Sequence, residues 1–130
     1  MYPESLPEDV VNLYANSLEE LYPGCLPKDR MEILDLNGLK KLYVESLPKR
    51  VSELYLNSLN VLNPGSLSQQ IGDLYIMSVT QIMPGYLPKG FNCKRINANE
   101  NIKRQLEKLM IESEEYYKQL EEERNLAKAM

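Results

Sequence analysis

LPKRVSELYLNSLNVLNPGS, residues 47–66, is the clearest copy of a unit of about twenty residues that recurs along the chain. The same opening appears at Leu6-Pro7, Leu26-Pro27 and Leu67-Ser68, and again at Leu87-Pro88. A fixed period in this range is the signature of a solenoid, in which each unit buries its apolar face only against its neighbours. Aligning the copies yields apolar columns. Val10, Met31, Val51, Ile71 and Phe91 share one position, the second copy carrying one extra residue. Leu13, Leu34, Leu54 and Leu74 share the next, followed by Ala15, Leu36, Leu56 and Ile76. Leu18, Leu39, Leu59 and Val79 come after that, and then Leu21, Leu42, Leu62 and Ile82.

The spacing has a direct physical reading. Leu54-Tyr55-Leu56 alternates apolar, amphipathic, apolar, which is the period of a strand. Leu54 and Leu56 then point inward, and Glu53 and Tyr55 outward. Equivalent strands of successive units pair side by side as a parallel sheet. Leu59 and Leu62, three residues apart, suit an irregular or tight helical return, with single helical turns conceivable at Ser17–Leu21 and Gly38–Leu42. Each unit closes on Pro23-Gly24, Pro64-Gly65 or Pro84-Gly85, the second on Val44-Glu45. Proline presets φ and glycine tolerates positive φ, which is turn chemistry. Leu-Pro then restarts the coil, because a residue before proline prefers extended geometry. Paired helices are the competing architecture, but a Pro-Gly step in three of the four coils leaves them little room.

These residues carry a resemblance. Leu-x-x-Leu-x-Leu with a short return and Leu-Pro punctuation resembles a leucine-rich repeat of the short type. It is similar both to the repeats of bacterial effector proteins and to FNIP repeats. The match runs from about Tyr2 to Phe91. It implies a leucine-rich-repeat-like parallel β-sheet with short irregular or 3-10 returns, and a role as adaptor or effector module that binds protein. Where that family places an asparagine three residues past the last strand leucine, this chain has Leu18, Leu39, Leu59 and Val79. An asparagine recurs instead just after the strand, at Asn16, Asn37 and Asn57, with Met77 breaking the series. Those amides either satisfy turn backbone groups or stand exposed. Tyr2-Pro3-Glu4-Ser5 resembles the tail of a preceding unit, so the chain either starts at Met1 with a small cap or belongs to a longer array; the former is expected.

After Phe91 the pattern changes. Residues 1–91 read as the solenoid, and residues 92–130 as a linker followed by a C-terminal helix. Asn101 to Met130 contains no proline or glycine and is rich in helix formers. Ile102, Leu106, Leu109, Tyr116 and Leu120 recur at helical spacing, before Ser113 and Glu123 interrupt the seam. The face is short of a sustained coiled coil. The helix is expected to cap the solenoid with its first half and fray beyond, with homo-oligomerisation through it as the alternative.

Composition narrows the function. The chain has 130 residues, a net charge of -4, no histidine and nine tyrosines. The charge disfavours phosphate-backbone binding, and the missing histidine removes the commonest general base and metal ligand. No phosphate loop, metal-ligand cluster or catalytic triad is legible, so the chain is expected to be no enzyme and to need no cofactor. No apolar run approaches a membrane span, and Cys25 and Cys93 lie in unequal contexts, which points to reduced thiols and the cytoplasm. The candidate binding surface is the outward face of the sheet: Tyr14, Asp35, Tyr55 and Tyr75, flanked by Asn12, Glu53 and Asp73. Tyrosine offers large contact area at low entropic cost, and the acidic flank predicts a protein partner with basic residues; the alternative is that the rings only stack on one another along the sheet. A self-assembling structural protein is the alternative reading.

Overall fold

The computed structural model describes residues 12–43 and 46–129. Leu6-Pro7, Val10 and the Val44-Glu45 turn lie outside the described residues. Five strands form one parallel sheet: β1 (Asn12–Tyr14), β3 (Arg30–Asp35), β5 (Arg50–Tyr55), β7 (Gln70–Tyr75) and β9 (Asn92–Asn97), in that spatial order. Leu34 pairs with Leu54, Leu54 with Leu74, and Leu74 with Ile96, so equivalent residues of consecutive copies are strand neighbours. The fold is a parallel β-sheet solenoid closed by one C-terminal helix.

The return side is built from two-residue strands. β2 (Glu20–Leu21) pairs with β4 (Lys41–Leu42), and β6 (Val61–Leu62) with β8 (Gln81–Ile82), all parallel. The turn between strand and return is the same in four coils. The N–H groups of Leu18, Leu39, Leu59 and Val79 donate to the carbonyls of Ala15, Leu36, Leu56 and Ile76. Each turn thereby brings two inward side chains, three residues apart, onto the same core. No helical turn forms at Ser17–Leu21 or Gly38–Leu42, because these turns lead straight into the short strands. A 3-10 turn does occur at Pro64–Ser66, where the Asn63 side chain accepts from the Gly65 N–H. Gly24, after Pro23, takes φ 86, which only glycine adopts cheaply.

The apolar columns form a single core. Leu34, Leu36, Leu54, Leu56, Leu74 and Ile76 are fully buried, as are Leu39, Leu62 and Val79. The first column extends differently from the sequence expectation. Ile71 pairs with Cys93, so Cys93 continues the Met31–Val51–Ile71 column and Phe91 precedes the strand, half-buried. The stretch 92–97, read as linker, is thus the fifth strand, and Ile96 and Ala98 carry the next two columns.

Asparagines hold the coils together at the strand exits. The Asn57 N–H donates to Asn37 Oδ1 at 3.0 Å, and the Met77 N–H to Asn57 Oδ1 at 3.0 Å. This settles the question for Asn37 and Asn57, each of whose amides satisfies a turn backbone group of the following coil. Asp35 takes over the task one coil earlier, its carboxylate accepting from the Asn37 N–H at 3.2 Å and facing the Asn16 amide.

α1 (Glu100–Ala129) covers the last coil. Asn99 caps it, accepting from the Ile102 N–H and donating to the Val79 carbonyl, both at 2.9 Å. Ile102 and Leu106 are buried against the open core, with Leu109 and Met110 half-buried beside them. Ser113, a seam-breaker by sequence, is 3% exposed and accepts from the Leu87 N–H at 3.0 Å. One turn on, the Tyr117 hydroxyl donates to the Leu87 carbonyl at 2.8 Å. The helix does not stop where those contacts stop. It runs on to Ala129 with every residue from Lys118 to Lys128 exposed.

Two stability predictions follow from these positions. Asn57→Ala removes the acceptor for the Met77 N–H and should cost about 1 kcal/mol, read as a lowered urea midpoint at unchanged slope. Ser68 is buried with its hydroxyl unpartnered, at the place where the neighbouring coil has the buried Pro48. Ser68→Pro should therefore stabilise by roughly 0.5–1 kcal/mol or more, seen as a higher Tm, by shedding that hydroxyl and stiffening the unfolded chain.

Candidate functional site

The outward face of the sheet follows from the register. Tyr14, Asp35, Tyr55, Tyr75 and Asn97 form one row across the five strands. Asn12, Ile33, Glu53, Asp73 and Arg95 form the next. The predicted residues therefore lie on one surface, but they are not equivalent. Tyr55 and Tyr75 stack face to face, ring centroids 4.4 Å apart and planes within 6°. Both are half-buried, whereas Tyr14 is 63% exposed and stands beyond Asp35. Burial, reinforced by Glu53, raises the Tyr55 hydroxyl above its ordinary value, with Tyr75 and Asp35 adding to it. The hydroxyl is thus neutral over the physiological range.

Asp35 is tied to the Asn37 turn, so its carboxylate is already partly used. Asp73 lies 3.7 Å from the Arg95 guanidinium, which offsets its charge. Glu53 has no ion-pair partner among the described residues, and Asn12 lies exposed on the edge strand β1. The acidic flank of the tyrosine row is accordingly centred on Glu53.

Sequence reasoning missed the other end of the same strands. Arg30, Arg50, Gln70 and Asn92 are mutual register partners, all exposed. Between them and the Glu53 row, pairing skips one residue per strand: Glu32, Ser52 and Gly72 have no register partner, nor does Lys94. Val51 and Leu54 both point inward, so Ser52 and Glu53 must both turn outward. That bend interrupts the simple alternation. It leaves a groove of about 610 Å³ lined by Arg30, Arg50, Ser52, Gly72, Asp73 and Lys94 among others. A side chain on Gly72 would run into the Ser52 carbonyl, so the floor stays open there. The signal was available in the column that precedes Val51 in each copy.

Tyrosine stacking is a general device of this fold. Tyr22 stacks on Tyr43 on the return side at 5.8 Å, and Tyr86 on Tyr116 of α1 at 4.1 Å. Among the described residues no helix is long and apolar enough to cross a membrane, and no group of three or more acidic or cysteine ligands is placed to hold a metal. Comparison with protein-family models, curated proteins and solved structures finds no match.

Cys93 sits behind this face. Its Sγ donates to the Arg95 carbonyl at 3.3 Å, and burial raises its pKa from 9.0 to about 11. The raised value means that the folded state favours the neutral thiol. That contribution to stability is complete below pH 9 and fades as pH climbs through about 11. In a Cys25→Ser variant, which copies Ser46 and Ser66, Cys93 should react with a thiol reagent at pH 8 on the order of ten- to a hundredfold slower than free cysteine. The rate should rise steeply towards pH 11, and unfolding should abolish the protection.

Proposed function

We propose that this chain is a non-catalytic protein-interaction module of leucine-rich-repeat-like type, whose partner docks on the outward face of the sheet. The observation that carries this reading is the Tyr55–Tyr75 stack. It presents two aromatic rings, preorganised and half-desolvated, at the centre of a rigid five-stranded sheet. Rigid aromatic surface with polar neighbours is what binding hot spots are made of. Glu53 beside the stack favours a basic residue of the partner at that point. Cys25 is buried in the core and Cys93 lies on an inward column of the sheet, contexts that suit reduced thiols and a reducing compartment such as the cytoplasm.

A second reading has its own observation. Ile111 and Leu126 on α1 are 61% and 66% exposed, and Leu120 is exposed near the end of the capping face. Homo-oligomerisation through α1 would cover Ile111 and Leu126, which share one face, while Leu120 lies on the opposite one. Light scattering across a concentration series separates the two: a monomer that captures a partner favours the docking face, and growth with concentration favours α1.

The decisive variant is Tyr55→Ser/Tyr75→Ser, compared with a return-face control, Tyr22→Ser/Tyr43→Ser. Capture of a cytosolic partner should fall at least tenfold in the first and persist in the second, with both folds still melting cooperatively. Equal capture by all three proteins would remove the docking face.

A further inference from the structure

Arg30 and Arg50 face each other in register on β3 and β5, about 4.8 Å apart across a parallel pair. Like charges directly opposite on neighbouring strands repel. Neither guanidinium has an ion-pair partner among the described residues. The row continues with Gln70 and Asn92, so four side chains able to donate hydrogen bonds line one edge of the groove. Lys94 and Arg95 of β9 also line the groove, and its carboxylates are Glu32 and Asp73, the latter engaged by Arg95. In a chain of net charge -4 this is a local concentration of uncompensated positive charge.

We infer that this groove takes the carboxylates of an acidic segment in a partner protein, with Arg30 and Arg50 as the reading residues. The inference rests on the proposed docking face and assigns the chemistry of its second half. The argument is charge complementarity with geometry. Two guanidinium forks at strand spacing can hold one carboxylate between them, each contact being charge-assisted. Ser52 and Gly72 keep the floor low, so the backbone of an extended segment can approach the sheet. A carboxylate between the two arginines also removes their mutual repulsion, which the unliganded protein carries. The partner segment is therefore bipolar: acidic over the arginine row, and basic or apolar over Glu53 and the tyrosine stack. A nucleic acid fits this poorly, since its phosphates continue past the groove onto Glu53 and Asp35.

The test uses the full chain and a fluorescein-labelled peptide alternating glutamate and serine, read by anisotropy at several salt concentrations. The glutamine analogue of the peptide and a single-stranded oligonucleotide are the controls. The acidic peptide should bind, more weakly as salt rises, and the glutamine analogue should not. Arg30→Gln/Arg50→Gln should weaken binding about tenfold or more without lowering the thermal transition. Gln70→Arg, which lengthens the row, should tighten it, a gain that misfolding cannot mimic. No binding of the acidic peptide, equal binding by the arginine variant, or tighter binding of the oligonucleotide would each overturn the assignment. So would concentration-dependent self-association lost in the arginine variant, which would hand the groove to the acidic helix of a second copy. If the arginine arm fails while Tyr55→Ser/Tyr75→Ser still loses partner capture, the docking face stands and only the acidic segment is withdrawn.

Discussion

No coil of this chain can bury its own leucines. Each turn of the solenoid is one strand and one short return thick, so the flanks of every inward side chain are open except where another coil lies. Leu54 is fully buried because Leu34 and Leu74 sit one register step to either side. A slip of one residue would turn these columns outward, so burial enforces the register that the hydrogen bonds express. The asparagine steps from Asn37 to Asn57 to Met77 lock the same register at the strand exits. Everything presented on the outer surface inherits its spacing from this stacking: the tyrosine pair, the Glu53 row and the arginine pair.

A stack of this kind must end, and its last coil would leave Leu87, Ile96 and the adjoining core open. α1 solves the apolar problem with Ile102 and Leu106, and the polar one with Ser113 and Tyr117 on the Leu87 backbone. Asn99 fixes where the helix begins and ties that point to Val79. The part beyond Tyr117 has no such support. A detached peptide of that length would be marginal as a helix, because nucleation is costly. Here the anchored half supplies the nucleus and the tail needs only propagation. The free edge of β9 is treated differently. Asn92, Lys94 and Arg95 are polar or charged and exposed there, which discourages another strand from adding to the sheet.

The inward columns were readable because they repeat with one period and one chemistry. The places that were misread each mix two requirements in one residue. Cys93 and Ile96 belong to the core columns, but Asn92, Lys94 and Arg95 between them serve an exposed edge, and the extra residues after Pro88 shift the alignment. The segment therefore looked like a polar linker. Ser113 broke a hydrophobic seam because its hydroxyl, not its bulk, was needed at the Leu87 N–H. The bend at Ser52 and Glu53 was hidden because Val51 and Leu54 both point inward at a spacing that simple alternation does not allow. On the outer face the tyrosine row was legible as a column. Its division was legible too, since Asp35 separates Tyr14 from the adjacent Tyr55 and Tyr75; what was not legible is that the Asp35 carboxylate is spent on the Asn37 turn.

The same bend divides the outer face chemically. Towards the strand exits the face is aromatic and acidic, and towards the strand entries it is basic. Mixed sign could reflect nothing more than solubility, but then opposite charges would sit beside each other and compensate. Asp73 and Arg95 do so. Arg30 and Arg50 instead stand opposite one another and form no ion pair with Glu32, the carboxylate beside them in the groove. Repulsion retained at the strand entries is a local conflict in an otherwise consistent fold, of the sort that functional sites carry.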